Sequence, residues 1–192
     1  DRDAEKLSGK GDTSQKLTLM KTSADSLKKS ADALNDSSLW EKKKIKKKDE
    51  KTGEEIEVED YDWDKITKAV KSFVEDYNDV VKEAGESNTK DVLRNASWMT
   101  GMTDKNSNML AKIGITIGKG NKLELDEDAL KQADISSLKT VFTGYNSFVS
   151  KISQKATGIS NAANRASATY TNNGTYSKTD SSLTSSKIDK EV

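Results

Sequence analysis

Apolar residues alternate at spacings of three and four through residues 12–36: Leu17, Met20, Ala24, Leu27, Ala31 and Leu34, flanked by lysine, serine and aspartate. This heptad-like seam predicts a helix, with Asp12 and Gln15 three residues later as its expected cap. So thin a seam is not stable alone in water and must pack on another element. Residues 64–83 carry a broader stripe of Ile66, Ala69, Val70, Phe73, Val74, Tyr77, Val80 and Val81, the clearest amphipathic helix in the chain, ended by Gly85. A short helix is expected at 89–98 around Val92, Leu93 and Ala96. Trp98, Met99 and Met102 then form a less regular, adaptable apolar patch, and a helical turn rebuilds through Met109, Leu110 and Ile113.

From Ser136 the spacing predicts one long helix to about residue 167, through Leu138, Val141, Phe142, Tyr145, Phe148, Val149, Ile152, Ala156, Ile159, Ala163 and Ala166. Such a rod is roughly 45 Å long, and its alanine end allows close helix approach. The last two dozen or so residues are rich in Ser, Thr, Asn and Lys and read as a mobile tail. No solenoid-like repeat of fixed period is found.

Two stretches alternate with period two instead. In "EKKKIKKKDEKTGEEIEVED", residues 41–60, a loop from Glu50 to Gly53 sets Asp49 opposite Glu54. Ile45 then faces Val58, and Lys44, Lys46 and Lys48 face Glu59, Glu57 and Glu55, a cross-strand charge pairing that favours a hairpin. A lysine run of this kind could be a nucleic-acid or membrane patch. A solvated hairpin carrying its own counter-charges outweighs that reading. In the second stretch Ile115 and Ile117 alternate with Thr116, "GKGNK" turns, and Leu123 and Leu125 alternate with Glu124. Asp126 is expected to cap a following short helix, with Glu127 and Asp128 in its first turn.

That second stretch also holds the best candidate for chemistry, and it fails both tests. A phosphate loop needs four residues between its glycines and a Lys-Ser or Lys-Thr end, whereas Gly114 and Gly118 enclose three and Lys119 precedes Gly120. A calcium loop needs oxygen ligands at alternating positions, which Asn121, Asp126, Glu127 and Asp128 do not provide. The turn reading accounts for more residues.

Composition narrows the choices further. Of 192 residues 32% are hydrophobic and 33% charged, with a formal net charge of +0, so no whole-chain field attracts nucleic acid or anionic lipid. No apolar run approaches the roughly 20 residues of a membrane span. Cysteine and histidine are absent, which removes disulfides, thiolate metal sites and the commonest general base. Proline is absent too, which permits long uninterrupted helices. Asp126 and Asp128 are carboxylates at a helix start, where capping is far commoner than catalysis. No catalytic, cofactor or metal residue is assigned. Because Asp1 is not methionine, a fragment or processed form is expected, and the missing signal peptide says nothing of export.

"LAKIGITIGKGNKLELDEDALKQAD" resembles the C-terminal region of the flagellar filament-cap (hook-associated) proteins. The matching positions are Leu110, Ile113, Gly114, Ile115 and Thr116, then Leu123, Leu125, Asp126, Glu127 and Leu130. "AVKSFVEDYNDVV" resembles that family's helix through Phe73, Val74, Tyr77 and Asn78; "DVLRNASWM" resembles its next short helix; Val141 and Phe142 fall where its Val-x-x-Leu-Phe pattern is expected. Gly120-Asn121 stands in place of the usual Asp-Gly, and neither the 41–60 hairpin nor the tail maps onto the family.

The resemblance implies an extracellular structural protein of the bacterial flagellum, exported unfolded through the flagellar channel, whose helical base packs in a ring and guides flagellin insertion. It implies a homo-oligomer with flagellin or other flagellar proteins as partners, and neither nucleic-acid binding nor membrane insertion. The alternative is a secreted or surface adhesion module on the same scaffold, with Trp98, Met99 and Met102 as its docking patch, although such a patch is more often core.

The expected fold is mainly α: an elongated, coiled-coil-like helical bundle over residues 12–168 with two short β-hairpins at 41–60 and 115–125. A disordered flank is expected at 1–11 and a flexible tail at 169–192. Leu17, Met20, Leu27, Leu34, Phe73, Tyr77, Phe142, Phe148, Ile152 and Ile159 are the expected helix- and subunit-packing residues.

Overall fold

The computed structural model describes residues 11–188, with side chains to residue 169. The expected flank, apart from Gly11, and the last four residues of the expected tail lie outside that range. Among the described residues the fold is mainly α, with seven α-helices and two antiparallel hairpins. In chain order these are α1 (Ser14–Leu34), β1 (Lys43–Lys48), β2 (Glu55–Asp60), α2 (Trp63–Gly85), α3 (Lys90–Lys105) and α4 (Ser107–Ala111). There follow β3 (Ile115–Ile117), β4 (Leu123–Leu125), α5 (Glu127–Gln132), α6 (Ile135–Phe142) and α7 (Phe148–Ile188).

The thin seam of α1 finds its partners in α2 and α7, and all six seam residues from Leu17 to Leu34 are buried. Helix α7 runs antiparallel to α1, and two polar links fix their register. Ser153 donates to Asp32 at 2.7 Å, and Ser160 donates to Asp25 one heptad further along α7 and one heptad back along α1. Each aspartate also accepts from a lysine one turn earlier on its own helix, Lys28 and Lys21 respectively, at 2.7 Å. The α7 backbone is helical as far as Ile188, about 60 Å at the usual rise per residue.

Three expectations are corrected. The helix expected from Ser136 to about 167 is two helices, broken over residues 143–147. Gly144 takes φ +100°, which side chains rarely adopt, and Asn35 secures the break by accepting the Gly144 N–H at 2.9 Å and donating to its carbonyl at 3.3 Å. Tyr145, expected in the seam, is 85% exposed. The short helix expected at 89–98 instead continues to Lys105, because Val92, Ala96, Met99 and Thr103 keep one buried face. Asp12 does not cap α1: Thr13 does, accepting the Lys16 N–H.

The first hairpin has the register expected of it, Ile45 with Val58 and Lys44, Lys46 and Lys48 with Glu59, Glu57 and Glu55. In the second, Ile115 pairs with Leu125 and Ile117 with Leu123, and Gly120 and Asn121 make the turn at φ +70° and +62°.

Candidate functional site

The side chains that organise this molecule are those joining its segments, so the site is built from them. Asp12 precedes α1 and crosses to the loop before α3. Its carboxylate accepts the Ser87 hydroxyl at 2.7 Å, the Asn88 N–H at 2.8 Å, and the Thr89 N–H and hydroxyl at 3.1 and 2.6 Å. Thr89 occupies the N-cap of α3 without a side-chain cap bond of its own, so Asp12 supplies the anion that the helix start favours. Burial pushes the Asp12 carboxyl upward, but the bonds from Thr89, Ser87 and Asn88 outweigh it and hold the group below the ordinary value.

Asn78 of α2 grips β4 in the same manner. Its amide donates to the Leu123 carbonyl at 2.9 Å and its carbonyl accepts the Leu123 N–H at 2.7 Å, so one side chain satisfies both groups of an edge residue. On the other strand, Gly114 has φ +89° and its carbonyl accepts the Asp126 N–H at 2.8 Å. A Cβ at Gly114 would lie 2.7 Å from the Asp126 carbonyl oxygen and 3.0 Å from the Leu130 nitrogen. Asp126 caps α5 by accepting the Ala129 N–H at 3.1 Å. Thus "GITIGKGNKLELDEDAL" forms one folded unit pinned to α2.

Beside it lies an open groove of ≈ 630 Å³ lined by Lys71, Val74, Glu75, Leu125 and Asp126 to Asp128. Two of its carboxylates have structural partners: Asp126 is the cap, and Glu127 stands 3.8 Å from Lys71. No group of His, Cys, Asp and Glu suited to hold a metal ion occurs among the described residues.

The ten expected packing residues, from Leu17 to Ile159, are all buried. Tyr77 donates its hydroxyl to Thr103 at 2.8 Å, joining α2 to α3, and burial pushes its pKa up to about 12. Of the three docking-patch residues, Met99 and Met102 are buried in the core, while Trp98 is 47% exposed. Its ring is covered by Lys155 of α7, whose ammonium sits 4.1 Å from the ring centre. Trp40, which the periodicity did not single out, is buried, stacks on Phe142 at 5.4 Å and donates to the Leu34 carbonyl at 2.7 Å. The one available signal was "LW" just after the α1 seam, where an aromatic residue can fold back on the helix end.

The model of the family described as flagellar hook-associated protein 2 C-terminus matches residues 87–191, more than half of the chain. The chain belongs to this family. This family is one of structural proteins of the flagellum. No curated protein and no solved structure matches the chain. The hook-associated region starts at Ser87, in the loop that Asp12 holds, and it contains Gly114, Leu123 and Asp126. Two of the anchors that reach into it, Asp12 and Asn78, come from the segment before it, as do Asp25, Asp32, Asn35 and Tyr77. No helix among the described residues is long and apolar enough to cross a membrane.

Proposed function

We propose that this protein is a filament-cap component that self-associates at the tip of the flagellum and supports flagellin assembly there. The observation that carries the reading is the family match over residues 87–191. The fold suits the role: side chains from α1 and α2 clamp the matched region into a single bundle. The partners on this reading are further copies of the chain and flagellin, and the location is extracellular, reached by the flagellar export path. Deletion of the coding segment tests it: filaments should shorten or vanish while flagellin accumulates in the medium. Normal filaments without leaked flagellin would overturn it.

A second reading, adhesion, is favoured by the 47% exposure of Trp98. It is weakened by the burial of Met99 and Met102 and by the lysine already seated on the ring.

A further inference from the structure

The hairpin of β1 and β2 has two outer edges of opposite charge. Asp49 donates its N–H to the Glu54 carbonyl at 2.8 Å, which makes position 49 inward-facing. Alternation along the antiparallel ladder then turns the N–H and C=O of Lys44, Lys46 and Lys48 outward on β1, and those of Glu55, Glu57 and Glu59 outward on β2. Among the described residues this sheet has only the two strands, and no backbone hydrogen bond reaches either outer edge. All six of these side chains are exposed.

An open edge is a template for another strand. Pairing β1 with a second β1 sets lysine against lysine, and pairing β2 with a second β2 sets glutamate against glutamate, so both symmetric arrangements are repelled. Pairing β1 with the β2 of another copy is attractive. In the register that the hairpin already uses, Lys44, Lys46 and Lys48 would meet Glu59, Glu57 and Glu55 across the new boundary. On the opposite face Ile45 would meet Val58, so the apolar row continues as well.

We infer that the hairpin joins copies of this chain head to tail, the basic β1 edge of one pairing with the acidic β2 edge of the next. This deepens the self-associating role proposed above and rests on it. Each copy presents two different patches, so the contact is heterologous and generates a ring or an open filament, not a symmetric pair. The charges set direction and exclude the wrong pairings.

Two variants of the full chain test this. The first exchanges all six charges, Lys44, Lys46 and Lys48 to Glu and Glu55, Glu57 and Glu59 to Lys, which keeps every pair inside the hairpin. It should assemble with itself as the parent does, because its β1 and β2 edges again carry opposite charges, now reversed. The second, Lys46→Pro, removes one outward N–H and leaves the inner ladder intact; it should lose assembly without losing helical content. Native mass spectrometry reads the first, and light scattering with circular dichroism reads the second. A folded exchanged chain that stays monomeric while the parent assembles, or assemblies that survive a folded Lys46→Pro, would overturn the edge pairing and leave self-association standing. A parent chain monomeric at every concentration would overturn both.

Discussion

Asn78 holds Leu123 by both backbone groups, with bonds of 2.9 and 2.7 Å, although the two residues are 45 positions apart. The clamp ties the hook-associated region to the helix before it. Asn78→Ala would leave an N–H and a C=O of β4 without partners, at about 2 kcal/mol. In thermal unfolding the Tm should fall by about 4–8 °C, and an unchanged Tm would show that the clamp contributes nothing.

Gly114 and Gly120 both have positive φ, at +89° and +70°, but only at Gly114 would a Cβ meet backbone atoms. Gly120→Ala should therefore cost about 1 kcal/mol, from the left-handed conformation alone. Gly114→Ala should cost about 2–4 kcal/mol, because steric contact with the α5 backbone adds to the strain. Equal effects of the two in urea unfolding would contradict the packing described for Gly114.

The Asp12 carboxyl is held below the ordinary 3.8, with burial opposed and outweighed by its bonds from Thr89, Ser87 and Asn88. Its stabilisation is complete above the unfolded value near 3.8 and is lost as pH falls through the lower folded value. Asp25 and Asp32 behave alike, burial again being outweighed by bonds from Lys21 and Ser160, and from Lys28 and Ser153. Stability measured against pH should thus be level above about pH 5 and fall steeply below the usual carboxylate range. Asp12→Ala should cost about 1–2 kcal/mol at pH 7, the loss of a helix cap, and should flatten the acid limb.

Asp76 of α2 goes the other way. Burial raises its pKa, and the neighbouring carboxylates Asp79 and Glu75 raise it further against a bond from Ser30 of α1. Folding favours its protonated form, so this stability is present below 3.8 and lost as pH rises through the folded value. Asp76→Asn should stabilise the protein at pH 7 by about 0.5 kcal/mol after allowance for screening, and the gain should disappear near pH 3. A gain that persists in acid would point to a cause other than charge.

Much of this architecture was legible because its cause is local. The charge pairs of the first hairpin determine its register residue by residue, and the alternation of Ile115, Ile117, Leu123 and Leu125 does the same for the second. The break between α6 and α7 was hidden because Phe142, Tyr145 and Phe148 keep the three-residue spacing across it; only Gly144 and Ser147 hinted otherwise. The true length of α3 was obscured by Trp98, which is exposed while its neighbour Met99 continues the buried face. Asp12 looked like a local cap, and its real partners lie 75 to 77 positions away. Contacts of that separation leave no periodic trace in a chain.

The cap reading is tested most directly by immunogold electron microscopy on cells that express the protein, with antibody raised against this chain. Gold confined to filament tips is the predicted result. Label spread over the cell wall, or along the whole length of the filaments, would contradict a role at the tip.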